Sequence, residues 1–272
     1  MPTTAIPSII LNNGVSMPIL GLGIYALHGA DCERAVCEAV DLGYRLFDTA
    51  QMYGNERELG NALKSCGVPR EEIFITTKLY APATTYKKAK AAISESLKAL
   101  QTDYIDLLLI HEPYSSSLEM YEAMKEAYED GKIKVLGISN FSAARYLNFI
   151  QSCGVIPAVN QVEAHAFYQQ KHLQAVLEQH GTRMEAWSPF AAGKNHFFTN
   201  PILQSIGKKY GKTVAQVGLR LLVQRGVVVI PKSGHAGRLK QNLDIFDFSL
   251  SDEDLRQIQS LEGERSLFGW YD

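Results

Sequence analysis

The sequence predicts an α/β protein, a (β/α)8 TIM barrel preceded by a short N-terminal β-hairpin. Three observations predict it. Short apolar, β-branched runs alternate with longer segments of helical period, giving eight strand candidates after the hairpin. The runs are near-continuously apolar, as strands of a parallel sheet covered on both faces must be. No Pro/Gly/Ser-rich linker divides the chain, so residues 1–272 are expected to form one barrel domain.

The elements follow in order. Ser8–Leu11 and Val15–Pro18 flank Asn12-Asn13-Gly14, a turn sequence suited to a hairpin. The barrel strands are expected at Leu20–Tyr25, Arg45–Thr49, Ile73–Lys78 and Ile105–His111. The second half supplies Val135–Asn140, Ala158–Glu163, Arg183–Ser188 and Val227–Lys232. Between them Val36, Ala39 and Val40 share one helical face, as do Ile93, Leu97 and Leu100, and then Tyr121, Met124 and Tyr128. Thr213 with Gln216 and Ser251 with Asp254 fit capping boxes, and Asp31 is expected to cap the first helix. An open doubly wound sheet is the rival architecture, and it needs a glycine-rich dinucleotide turn. Gly21-Leu22-Gly23 continues as Ile24-Tyr25-Ala26 without the third glycine, and it reads instead as a tight strand end.

Composition narrows the function classes. A chain 46% hydrophobic and 21% charged is an ordinary globular protein. A formal net charge of -2 lacks the basic footprint of a nucleic-acid binder. No apolar run approaches the roughly 18–20 residues that a membrane span requires, and Met1–Ile10 lacks the features of a secretory signal. A cytoplasmic monomer with no nucleic-acid or membrane partner is expected. Cys32, Cys37, Cys66 and Cys153 form no CxxC pair and are expected to be free thiols.

In such a barrel, chemistry sits at the C-terminal ends of the strands. The second strand ends in Phe47-Asp48-Thr49-Ala50 with Tyr53 just beyond, the third in Thr76-Thr77-Lys78, and the fourth in Leu109-Ile110-His111. Three neighbouring strands thus bring a carboxylate, a phenol, an ammonium and an imidazole to one rim. Lys is seldom buried without a partner, and Asp48 is available to Lys78. A phenol with pKa near 10 is a poor acid at neutral pH, and a neighbouring Lys78 ammonium is expected to lower it. Tyr53 then serves as general acid toward a carbonyl that His111 orients by a hydrogen bond. No Ser or Cys nucleophile stands at these rims, so the attacking species must come from a cofactor or water. A metal-dependent hydrolase would need several converging His and carboxylate ligands, and no HxH pair occurs.

The run from Gly43 to Glu56, GYRLFDTAQMYGNE, resembles the first signature of the aldo-keto reductases. Gly131–Phe141, GKIKVLGISNF, resembles their second, and Ile230-Pro231-Lys232-Ser233 with Arg238, Gln241 and Asn242 resembles their third. The three segments span most of the chain. The resemblance implies a (β/α)8 barrel and a catalytic tetrad of Asp48, Tyr53, Lys78 and His111. It also implies NADP(H) as cofactor and an aldehyde or ketone as small-molecule substrate. A non-enzymatic, channel-regulating relative would be expected to show a damaged tetrad, and the tetrad here is intact.

The implied cofactor site has physical content of its own. Ser139, Asn140 and Gln161 offer donors and acceptors suited to a carboxamide, and Trp187 offers a flat face for a nicotinamide ring. Lys232, Ser233 and Arg238 suit the 2′-phosphate of NADP, with no Asp or Glu between Lys232 and Asn242. Gly23, Ile24, Asp48, Ser188, Phe190, His235, Gln241 and Asn242 complete the implied set. The departures from the family pattern are His235 for a frequent Thr, Gln241 for a Glu, and Ile24 for a hydroxyl residue. Trp187 in place of Tyr resembles the bacterial 2,5-diketo-gluconate reductase-like members. Tyr25, Tyr53, Tyr80, His111, Glu112 and Trp270 are the expected substrate residues. Glu112 replaces a common Trp, Ala164-His165-Ala166 replaces Tyr-His-Pro, and the chain ends soon after Phe268. Small polar aldehydes, ketones or α-dicarbonyls are therefore expected. No metal site is expected.

Overall fold

The computed structural model describes residues 6–269. Strands β1 (Ser8–Ile10) and β2 (Ser16–Pro18) form the expected antiparallel hairpin, with Ile9 opposite Met17. The first half of the barrel then runs β3 (Leu22–Gly23), α1 (Gly29–Asp41), β4 (Leu46–Asp48), α2 (Glu56–Ser65), β5 (Phe74–Leu79) and α3 (Tyr86–Leu100). It continues through β6 (Ile105–Ile110), α4 (Ser117–Glu129), β7 (Ile133–Ser139), α5 (Ala143–Ile150), β8 (Val159–Glu163) and α6 (Lys171–Gln179). The last part comprises β9 (Arg183–Trp187), α7 (Pro201–Tyr210), α8 (Val214–Gln224), β10 (Val228–Val229), α9 (Ala236–Leu243) and α10 (Asp252–Gln259).

Eight parallel strands lie in sequence order from β3 to β10. Parallel bridges from Leu20 to Val229 and from Gly23 to Lys232 join the two outer strands and close the barrel. The Gly21 N–H donates to Val229 O at 2.9 Å, and the Val229 N–H to Ile19 O at 3.0 Å. Gly21 and Gly23 serve this seam: a Cβ on Gly21 would lie 2.4 Å from Leu46 Cγ, and one on Gly23 2.8 Å from Ile230 O. They are glycines because strands pack there, which agrees with their reading as a tight strand end.

The strands are apolar where both faces are covered. Every residue of β5 and β6 is buried, and each full leucine burial, as at Leu107, Leu108 and Leu109, contributes roughly 1.5–3 kcal/mol. Both capping boxes form: Thr213 caps α8 with Gln216, and Ser251 caps α10 with Asp254. Each cap contributes about 1 kcal/mol. Asp31 does not cap the first helix. His28 is the N-cap and Gly29 begins the helix, so Asp31 falls in its first turn, where it pairs with Arg34 at 2.8 Å. A carboxylate there still favours the helix dipole. The four cysteines are free, Cys32 and Cys153 buried and Cys37 and Cys66 partly so. Among the described residues no helix is long and apolar enough to cross a membrane.

Candidate active site

Three strand ends deliver the expected quartet to one place. Lys78 is fully buried, and its Nζ donates to Asp48 Oδ1 at 2.7 Å, to Asp48 Oδ2 at 2.8 Å and to Thr49 O at 2.9 Å. Tyr53 Oη lies 3.3 Å from the same nitrogen. The Tyr53 ring meets Tyr25 edge-on at 5.0 Å and His111 edge-on at 5.7 Å between centroids.

Local structure holds Tyr53 in place. Residues Gln51–Tyr53 form one 3-10 turn, and Gly54 at φ 65 reverses the chain in the left-handed region that glycine adopts most cheaply. Asn55 is fully buried and staples the turn to the barrel. Its amide donates to Ile24 O and Leu27 O at 2.8 Å each, and its Oδ1 accepts from the Thr49 hydroxyl at 2.6 Å. Glu56 likewise accepts from Thr77 Oγ1 at 2.6 Å, beside Lys78 in the chain. Asn55 and Glu56 fall outside the site residues expected from the sequence. Polar residues that close a signature yet sit before an apolar helix face were the available signal.

Burial governs the electrostatics. It works to strip Lys78 of its proton, but the Asp48 carboxylate, then Tyr53, hold the ammonium above the ordinary lysine pKa. Burial raises Asp48 against the pull of Lys78. The two-point contact at 2.7 and 2.8 Å keeps the pair ionic. Tyr53 departs from expectation. Lys78 does lower its pKa, but burial raises it more and Asp48 adds to the rise, so the net direction is upward. The phenol is a firmly held proton donor, because the carboxylate that secures Lys78 also offsets its field. His111 is driven down to about 3 by burial and by the Lys78 charge, so its ring is neutral. Its Nδ1 is buried without a hydrogen-bond partner among the described residues.

A cavity of about 570 Å³ opens over this cluster. Of the residues expected at the site, Gly23, Tyr25, Asp48, Tyr53, His111, Ser139, Asn140, Gln161, Trp187, Ser188, Phe190 and Lys232 line it. Asn140, at φ 64, donates to His111 O at 3.1 Å and accepts from Trp187 Nε1 at 2.9 Å, tying three strand ends together. The Ser139 hydroxyl donates to Gln161 O at 2.8 Å, and Gln161 Nε2 donates to Asp48 Oδ2 at 2.7 Å. At the far end Lys232 is exposed, Ser233 is buried, and His235 and Arg238 are exposed about the start of α9. The donor set suits a ligand with an amide near Gln161 and an anion near Lys232.

Other expected residues lie elsewhere. Tyr80 lines a separate groove between α2 and α3, so it does not join the cavity. Ile24 is buried in the core, Glu112 is half-buried beside His111, Gln241 is exposed on α9 and Asn242 is buried there. Trp270 lies outside the described residues. Met52, Ile230 and Phe268 line the cavity without having been expected there. Phe268 packs edge-on against Trp187 at 5.2 Å. Its segment is held by Glu163, which accepts from Ser266 Oγ at 2.5 Å and Leu267 N at 2.8 Å. Among the described residues, no three His, Cys, Asp or Glu side chains gather to hold a metal ion.

Comparison with known proteins places this geometry. The profile of the Aldo/keto reductase family matches residues 20–262. The chain is 40% identical over 264 residues to a 9,11-endoperoxide prostaglandin H2 reductase of Trypanosoma cruzi, covering 96% of this chain and 93% of that protein. It is 41% identical over 269 residues to a glyoxal reductase of Bacillus subtilis, covering 98% and 97%. The crystal structure of an aldo-keto reductase from a Medee basin deep-sea metagenome library superposes with a TM-score of 0.95 at 40% identity. That match covers 97% of this chain and 98% of the other.

Proposed function

The chain belongs to the aldo/keto reductase family, and from that premise we propose that it reduces small polar carbonyl compounds to alcohols with NADPH, using Tyr53 as the acid. The observation that supports this reading best is Lys78, buried against Asp48 with Tyr53 Oη 3.3 Å away, under the cavity that His111 also lines.

NADPH, when bound, supplies the hydride. The chain's own residues do the rest. Neutral His111 donates a hydrogen bond to the carbonyl oxygen and holds it beside the Tyr53 hydroxyl. Tyr53 gives that oxygen its proton, and Lys78, kept charged by Asp48, stabilises the phenolate left behind. Ser139, Asn140 and Gln161 would hold the nicotinamide carboxamide, and Trp187 and Phe190, which line the same cavity, would offer the ring its apolar contacts. Lys232, Ser233, His235 and Arg238 bind the 2′-phosphate, aided by the positive end of α9. Among the cofactor residues expected from the sequence, Ile24 offers only backbone, since its side chain is buried. Gln241 and Asn242 lie on α9, further along from the cations.

The substrate class rests on the pocket's walls. Tyr25, Met52, Trp187 and Phe268 leave a mouth of mixed polarity, and a relative named for glyoxal reduction is 41% identical. Following NADPH oxidation at 340 nm with glyoxal, methylglyoxal, sugars, ketoacids and quinones tests the reading. Turnover of the small dicarbonyls with NADPH, and much weaker turnover with NADH, is expected. No oxidation with any carbonyl overturns it.

A further inference from the structure

The barrel holds a second interior carboxyl group beneath the site. Glu185 and Gln161 are direct partners in the β8–β9 ladder, so their side chains leave the sheet on the same side. Glu185 is fully buried. Its Oε2 accepts from Gln161 Nε2 at 3.0 Å, while its Oε1 has no hydrogen-bond partner among the described residues. The charged groups acting on it are Asp48 from β4 and Lys78 from β5, and Lys78 is already bonded to both oxygens of Asp48. A buried carboxylate with one neutral donor, near a second carboxylate, is far costlier than the carboxylic acid.

We propose that Glu185 is a positioning residue, a proton-bearing carboxyl that clamps the Gln161 amide so that Gln161 Oε1 is the atom offered to the nicotinamide carboxamide. The inference rests on the NADPH reading above. Gln161 has two N–H bonds to give, and both are taken: one by Asp48 Oδ2 at 2.7 Å, the other by Glu185 Oε2 at 3.0 Å. Turning the amide over would set its oxygen against Asp48 Oδ2, an ionised carboxylate with no proton to give, and would leave Glu185 Oε2 without its donor. The amide therefore has one tolerable orientation, with its acceptor left for an incoming donor. The proton on Glu185 matters equally. It leaves one carboxylate facing one ammonium, so no further anion offsets the Lys78 field at Tyr53. Burial first, then the Asp48 charge, push Glu185 up to about 8, against Gln161 and Lys78.

Two measurements on wild type, Glu185→Gln and Glu185→Leu test this. The first needs no cofactor: stability to urea between pH 6.5 and 9. The folded protein keeps the Glu185 proton up to about pH 8, whereas an unfolded glutamate releases it near 4.5. The folded state thus binds the extra proton between those values, and wild-type stability must fall relative to Glu185→Gln as pH rises toward 8, then level off. A flat difference overturns the proton assignment. The second is NADPH binding by fluorescence titration. Glu185→Leu, which loses the acceptor, should weaken binding on the order of tenfold, as loss of one well-placed hydrogen bond does. Glu185→Gln still offers a carbonyl oxygen to Gln161 and should recover most of that loss. A folded Glu185→Leu that binds NADPH as wild type does overturns the clamp alone. A wild type that does not bind NADPH overturns the cofactor reading as well, and the stability curves still decide where the proton sits.

Discussion

The two ends of the cavity are built on opposite principles. At the Tyr53 end Asp48, Lys78 and His111 are buried at strand ends: Lys78 Nζ has four oxygen atoms within 3.3 Å, and fully buried Asn55 staples the turn that carries the part-buried Tyr53. At the Lys232 end the cations are exposed side chains on a loop and the first turns of α9. Free energy is concentrated at the buried end. A desolvated, preorganised cluster acts strongly on one bond, and removing one member leaves the rest mismatched. An exposed cationic rim adds many small, salt-screened attractions, each replaceable by its neighbour.

The sharpest way to break that contrast is at Tyr53. Tyr53→Phe should lower kcat by roughly 10²–10⁴-fold, the usual contribution of a positioned general acid. NADPH affinity, read by fluorescence, should stay within about twofold. Wild-type kcat in this variant would show that another group is the acid. Lys78→Met comes next. It leaves Asp48 buried without its counter-charge, a loss of about 3–5 kcal/mol in urea unfolding together with most of the activity. Unchanged stability would mean that Asp48 takes up a proton at little cost and that the pair does not anchor this end of the cavity.

The buried end was also the more legible one in the sequence, and for a physical reason. Asp48, Lys78 and His111 close short apolar strands, and in a closed parallel barrel consecutive strands are neighbours, so sequence order becomes spatial order. What could not be read was anything that depends on distant segments meeting. Phe268 reaches the cavity because Glu163, a hundred residues earlier, holds the tail. Glu185 is one polar residue within the expected strand Arg183–Ser188, and only the register with Gln161 reveals its place. Tyr80 follows β5 as Tyr53 follows β4, yet it faces the α2–α3 groove. The Tyr53 pKa moved opposite to the expected direction because the charge of Lys78 is written in the sequence, whereas the depth of its burial is not.

The exposed end should respond by smaller steps. Arg238→Ala is expected to raise KM for NADPH by about tenfold and KM for NADH hardly at all, since an exposed pair with a phosphate contributes on the order of 1 kcal/mol. The NADPH effect should shrink with added salt, as screening requires. Equal changes for both cofactors would remove the 2′-phosphate from this loop and erase the contrast between the two ends.

The last prediction concerns the buried end itself, and it is read in pH dependence. His111 Nδ1 has no acceptor among the described residues, so the proton of the neutral ring is better placed on the other nitrogen, the one free to serve a carbonyl. That ring has a folded pKa of about 3 against 6.5 when exposed. The unfolded chain therefore binds the extra proton between those values, and stability attributable to His111 is complete above pH 6.5 and is lost as pH falls toward 3. Relative to His111→Gln, wild type should lose up to roughly 5 kcal/mol over that window in urea unfolding. Glu185 tilts stability the opposite way from 4.5 to 8, so the comparison belongs in a Glu185→Gln background, where the His111 slope stands alone. A flat difference there would mean that His111 titrates as a solvated imidazole, and the buried end of the cavity would then be wetter, and weaker in its electrostatics, than its geometry implies.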